Sequence, residues 1–135
     1  MFYIISLYSL EAKGDSELSK FKRQSRYEYT MKRTAELLKS GNHCFSPITH
    51  CHEMANQHEM PKDYSFWKAN DRHFVSLSEA VIVLDMKTSC GLNYESSEGM
   101  SDEIAHAKSI GKPVIFLKAD DFYDPVMLPV MLGEK

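Results

Sequence analysis

Residues 80–117 read AVIVLDMKTSCGLNYESSEGMSDEIAHAKSIGKPVIFL and contain, in order, a strand, a polar loop, an amphipathic helix and a second strand. Ala80 to Leu84 is a short apolar run rich in β-branched residues, the pattern of a buried strand. Met100, Ile104, Ala107 and Ile110 recur at helical spacing, Gly111 suits a helix stop and Pro113 forbids continuation, so a helix is expected from about Gly99 to Ile110. Val114 to Leu117 is again a buried-strand run. Strands joined through a helix of this length need a crossover connection, which predicts a parallel sheet and not a meander.

The same alternation runs back to the start of the chain. Phe2 to Leu7 (FYIISL) reads as a buried first strand ending at Tyr8 and Ser9. LEAKGDSELSK (10–20) reads as a loop, followed by a helix with Tyr27, Met31, Ala35 and Leu38 on one face and a stop at Gly41. Asn42 to Ile48 (NHCFSPI) reads as a short strand in which Pro47 marks an end or an edge, and residues 49–62 read as an irregular polar loop. Asp63 can cap a helix with Trp67, Asn70, Phe74 and Leu77 on one face. The order β-α-β-α-β-α-β predicts an α/β, Rossmann-like three-layer fold: a mostly parallel sheet of four or five strands flanked by helices. Residues 118–135 hold two prolines and scattered apolar residues, and read as a short helix or a tail packing on a neighbour. With no repeat, low-complexity segment or linker, residues 1–135 form a single domain.

Composition bounds the function. Hydrophobic residues at 43% and charged residues at 26% exclude a disordered or membrane class. A net charge of −3 argues against a partner that is a nucleic-acid polymer. Lys20, Lys22, Arg23 and Arg26 are the local exception, either a solvated helix face or a place to hold an anion. FYII is too short for a signal-peptide core and lacks a basic region before it, and three cysteines agree with a reducing compartment, so a cytoplasmic location is expected. The histidines and cysteines from His43 to His58 form no paired CxxC or HxxxH, so neither a metal nor another cofactor is expected. Cys90 has no histidine in a recognisable relation and makes a poor thiol nucleophile.

In a parallel α/β sheet ligands gather at the carboxyl ends of the strands, which singles out Tyr8 and Ser9, residues 49–52, Asp85 and residues 118–121. The helix start from Ser97 to Ser101 points to the same edge and offers unpaired N–H groups to an anion. Glu103 lies a turn later, where the helix dipole favours the ionised carboxylate a nucleophile needs, although an acid near a helix start is also ordinary helix chemistry. Asp71 sits at the border of its helix's apolar face, as a site residue or as a cap or ion pair. Together they would supply the two carboxylates that glycosidic-bond chemistry uses. There is no dinucleotide glycine pattern and no Lys-Ser/Thr phosphate loop, so a nicotinamide-cofactor fold and an ATPase are unsupported.

The motifs in combination resemble an uncharacterised family within the nucleoside 2-deoxyribosyltransferase-like superfamily, which also includes nucleoside 5′-monophosphate N-glycosidases. YIISLYS resembles the family's opening strand and Tyr-Ser turn, SRYEYTMKRTAELLKSG its first helix, and FSPITHCH its Ser-Pro-Ile with spaced histidines. FWKANDRHF resembles the helix with an Asn-Asp pair, and SSEGMSDEIAHAKSIGKPV the segment bearing the catalytic glutamate. The resemblance implies that Glu103 attacks the anomeric carbon, that Asp71 manages a proton, and that Tyr8 orients the nucleophile or contacts the sugar. Ser6, Ser9, Arg26, His50, His52, Ser97 and Gly99 are the implied substrate and phosphate contacts, with Arg26 preferred over Arg23. The implied activity is cleavage of a nucleotide or nucleoside N-glycosidic bond, as a hydrolase before a base-exchange transferase, in a homodimer or higher homo-oligomer. A nucleotide-binding or sensing module without catalysis, or a purely structural domain, is the alternative.

Overall fold

The computed structural model of the chain describes residues 1–86 and 94–123. The expectations for Cys90 and for the chain beyond residue 123 lie outside the described residues. The elements are β1 (Phe2–Ile5), α1 (Glu17–Lys39), β2 (Cys44–Phe45), α2 (Pro47–Gln57), α3 (Tyr64–Leu77), β3 (Ala80–Asp85), a short 3-10 turn (Tyr94–Ser96), α4 (Glu98–Ser109) and β4 (Val114–Lys118). The four strands form one sheet in the order β2-β1-β3-β4, with every pairing parallel. The expected three-layer α/β, Rossmann-like architecture is therefore present, with four helices flanking the sheet. Ile4 lies beside Ile82, and Val83 beside Phe116, so the two central strands stack apolar residues on both faces. Tyr3, Ile4 and Ile5 of β1 and Val81 to Leu84 of β3 are buried throughout, as covered parallel strands must be. The strand order reverses direction between β1 and β3, and at such a switch point the loops leaving the strand ends part to form a crevice.

Four local expectations are corrected. Residues 47–57 are a helix, not strand end and loop, because Ser46 caps it by accepting the Thr49 N–H at 3.2 Å and Pro47 occupies its first turn, where a missing N–H costs nothing. α1 starts within the expected loop, at a Ser16 cap, and turns Arg23, Arg26, Thr30 and Thr34 inward while Met31 and Leu38 are exposed. α3 likewise buries Asp71 and Val75 and leaves Leu77 62% exposed. In both helices the inward face meets loops and a crevice that offer hydrogen-bond partners, so polar side chains occupy positions that apolar periodicity would assign to the core. Finally, Ile115 and Phe116 of β4 are exposed, since β4 is an edge strand paired on one side only. Among the described residues, no helix is long and apolar enough to cross a membrane.

Candidate active site

The loop after β1 sets the geometry of the site, and two buried arginines of α1 hold it. Arg23 donates through Nη1 to the carbonyls of Ala12 and Gly14, the latter at 2.8 Å. Arg26 donates through Nη1 to the carbonyls of Tyr8 at 2.7 Å and Leu10 at 2.8 Å. A loop in this position cannot pair its carbonyls with a strand, and the guanidinium forks supply the missing donors. This fixes Ser6, Tyr8, Ser9 and Leu10 along one wall of a cleft with a volume of about 160 Å³, roughly ten times what a single water needs. Residues of α2 and α3 and the start of α4 line the rest.

Glu103 and Asp71 meet at the floor of this cleft, although 32 positions of sequence (103 − 71) separate them. They are 5% and 6% exposed, and their carboxyls are hydrogen bonded to each other. Burial drives the Glu103 carboxyl well above the usual carboxylate range, and the negative charge of Asp71 pushes it further. Asp71 is also raised by burial, with the hydrogen bond from Glu103 opposing the rise. The two carboxyls therefore titrate as a coupled pair, both pushed up by burial, with Glu103 raised the more strongly. The preference of the helix dipole for an ionised Glu103, an effect of about 1 kcal/mol, is opposed here by the burial of the carboxyl, the largest cause of its raised pKa.

Tyr3 and Tyr64 flank the pair, and both lower the Glu103 pKa by hydrogen bonding. The contacts are loose, because Tyr3 Oη and Asp71 Oδ1 are buried without a hydrogen-bond partner of good geometry among the described residues. Tyr64 is anchored at its far end, where its hydroxyl donates to Asp102 Oδ2 at 2.9 Å. Arg72 holds the same carboxylate through Nε at 3.0 Å and Nη2 at 2.5 Å, and keeps its pKa below the usual range. Adjacent acids on α4 are therefore shifted in opposite directions: Asp102 down, by the Arg72 guanidinium, and Glu103 up, by the dry floor.

At the head of α4, the Ser97 hydroxyl accepts the Met100 N–H at 3.3 Å and caps the helix. Ser96, Ser97, Glu98 and Gly99 line the cleft, so that the head of α4, where Glu98 and Gly99 precede the first intrahelical bonds, forms part of its wall. Gly99 lies close under the Tyr64 ring: a Cβ there would be 3.1 Å from Tyr64 Cδ1, so a side chain would push the ring by a few tenths of an ångström. Across the cleft, Tyr8 Oη and His52 Nδ1 are hydrogen bonded at 2.6 Å, and His52 Nε2 lies 2.8 Å from Gln24 Oε1. The His52 ring stacks on Tyr27 with centroids 4.2 Å apart. Burial pushes the Tyr8 phenol up to about 12 and lowers the His52 pKa, so both are neutral at pH 7.

Of the residues singled out from sequence, Glu103, Asp71, Tyr8, Ser6, Ser9, His52, Ser97 and Gly99 all line the one cleft. Arg26 and His50 do not. Arg26 is a loop clamp whose fork is turned to carbonyls, and His50 is exposed beside Phe45 with ring centroids 5.4 Å apart. Asp121 lies elsewhere, receiving the Tyr29 hydroxyl at 2.6 Å and Lys32 Nζ at 3.2 Å. Lys13, Lys62, Tyr64 and Trp67 also line the cleft and were missed from sequence. Tyr64 carried a usable signal, directly following the Asp63 helix start. The lysines carried none, being single charges in polar loops. Among the described residues, no group of three or more His, Cys, Asp or Glu side chains is placed to hold a metal ion.

No curated protein and no solved structure matches the chain. The profile described as a domain of unknown function, DUF1937, matches residues 1–119, which covers both central strands, the loop clamp and every cleft residue named above. The chain therefore belongs to the DUF1937 family.

Proposed function

We propose that this protein cleaves the N-glycosidic bond of a nucleotide or nucleoside, with Glu103 as nucleophile and Asp71 as proton donor and acceptor. The observation that carries this reading is the buried Glu103–Asp71 pair, two carboxyls side by side at the floor of a cleft at the strand ends. In the proposed cycle the proton passes from Glu103 to Asp71, arming nucleophile and acid in one step. The Glu103 carboxylate attacks the anomeric carbon, the carbon–nitrogen bond breaks, and Asp71 delivers its proton to the departing base nitrogen. Water then attacks the glycosyl ester while Asp71 takes its proton, which frees the sugar and restores the pair. The first-turn N–H groups of α4, with Lys13 and Lys62 along the cleft, are suited to a 5′-phosphate. Tyr3, whose hydroxyl lies beside Glu103, would steady the carboxylate as it forms.

A cytoplasmic hydrolase acting as a homo-oligomer is part of the same proposal, and the exposed Ile115 and Phe116 of edge strand β4 are compatible with a subunit contact. The test is free-base release from a panel of nucleoside 5′-monophosphates and deoxyribonucleosides. Release by the wild type, reduced at least ~10³-fold in Glu103→Ala, is expected. No release from any substrate, or equal release by the variant, overturns the proposal. The second reading, a nucleotide-binding module, is favoured by the burial that raises the Glu103 pKa and so opposes the carboxylate a nucleophile needs. It predicts thermal stabilisation by a nucleotide without base release.

A further inference from the structure

Three cleft groups have their hydrogen-bonding polarity decided by what stands behind them. Thr30 Oγ1 donates to the carbonyl of Arg26 at 2.8 Å, a common bond from a helical threonine to the residue four positions back. Its single proton is then committed, so in the 2.6 Å contact between Ser6 Oγ and Thr30 Oγ1 the serine is the donor. Ser6 turns its proton inward and presents lone pairs to the cleft.

Tyr8 is set in the same way through a longer chain. Gln24 Nε2 donates to the Glu28 carboxylate at 3.0 Å, and since a carboxylate only accepts, the Gln24 amide must face His52 with its oxygen. His52 therefore carries its proton on Nε2 and donates to Gln24. The Asn56 amide, whose Nδ2 lies 3.1 Å from the same Nε2, is exposed at the surface, where a half-turn of the amide brings its oxygen to face the Nε2 proton. That leaves Nδ1 as an acceptor, and Tyr8 must donate to it. Tyr8, like Ser6, is left with only lone pairs for a ligand. The two residues sit at i and i+2 where the chain leaves β1 and line the same wall, with the Asp71 carboxylate, unpaired at Oδ1, on the floor beside them.

We propose that Ser6, Tyr8 and Asp71 form an acceptor-only wall that recognises the substrate by its hydroxyl donors, selecting a ribose over a 2′-deoxyribose. His52 is a positioning residue that sets the tautomer on which this polarity depends. The inference rests on the nucleotide reading above and narrows it to ribonucleotides. A sugar that lacks a hydroxyl leaves a buried acceptor unpaired, and a site built to bind that hydroxyl rejects such an analogue strongly.

The experiment uses the sugar phosphates themselves, so that neither the base nor turnover matters. Binding of D-ribose 5-phosphate and 2-deoxy-D-ribose 5-phosphate to the full chain is measured by calorimetry, together with NMR of the histidine ring nitrogens. Ribose 5-phosphate binding at least tenfold tighter, a preference that shrinks in Tyr8→Phe and Ser6→Ala, and a neutral His52 protonated on Nε2 are expected. Equal or reversed preference with base release intact overturns this inference alone, as does a His52 protonated on Nδ1 in any folded sample. If no sugar phosphate binds and no base is released, the glycosidase reading falls and takes this inference with it.

Discussion

The protein buries charged groups in two places, and it treats them differently. Behind the cleft, Arg23 and Arg26 are almost completely buried, and each donates through Nη1 to two backbone carbonyls of the β1–α1 loop. At the cleft floor, Asp71 and Glu103 are almost as deeply buried, yet Asp71 Oδ1 and the neighbouring Tyr3 hydroxyl lack partners of good geometry among the described residues. Both places incur a desolvation cost. In the first it is offset by hydrogen bonds, and the return is a rigid loop. In the second part of it is left standing, and unmet polarity inside a cleft is the condition in which a ligand gains most by binding. Buried charge by itself is thus ambiguous, and its hydrogen-bond satisfaction separates scaffold from site.

The largest effect should come from the scaffold side. Arg23→Met leaves the Ala12 and Gly14 carbonyls without their donor and is expected to cost about 2–4 kcal/mol in urea denaturation at pH 7. A loss below about 1 kcal/mol would mean that the loop holds itself, and the contrast would fail at that end.

Glu103→Gln should move stability the other way. The Glu103 pKa is raised in the folded protein, so the native state holds its proton more tightly than the unfolded chain does. Wild-type stability should then fall as pH rises from the ordinary glutamate range toward the folded pKa. The amide removes that slope and should be more stable at pH 8 by about 1–3 kcal/mol. Asp102, whose pKa is lowered by Arg72, contributes stability that is lost only as pH falls below the ordinary aspartate range, so it does not confuse a titration from pH 5 to 9. Parallel pH profiles for wild type and variant would contradict a buried, proton-holding Glu103.

The smallest effect is expected of Gly99→Ala. The new methyl displaces the Tyr64 ring by a few tenths of an ångström. Stability should change by less than about 1 kcal/mol, while nucleotide affinity weakens because Tyr64 and the α4 head move apart. Unchanged affinity in a folded variant would show that Tyr64 does not help shape the floor.

Much of the fold was legible along the chain. The apolar runs in residues 2–7, 80–84 and 114–117, the helix stop at Gly111–Pro113 and the crossover rule lead to a parallel α/β sheet without tertiary information, because each signal is local. The α4 segment with Glu103 was legible for the same reason. α2 was not, since Ser46–Pro47 serves equally well to end a strand and to cap a helix. The inward faces of α1 and α3 were misread because a helix that packs on loop carbonyls and a polar cleft buries Arg23, Arg26 and Asp71, where periodicity looks for leucine.

Sequence by itself determined the order of elements, the candidate acids and the edge of the sheet where a ligand would sit, all of which follow from spacing along the chain. Only the tertiary structure decided that Asp71 and Glu103 meet in one buried pair, that Arg26 clamps the loop after β1, and that Tyr8 and Ser6 are paired with His52 and Thr30 behind the cleft wall. Those properties depend on burial and on hydrogen bonds between residues tens of positions apart, and no local pattern encodes them.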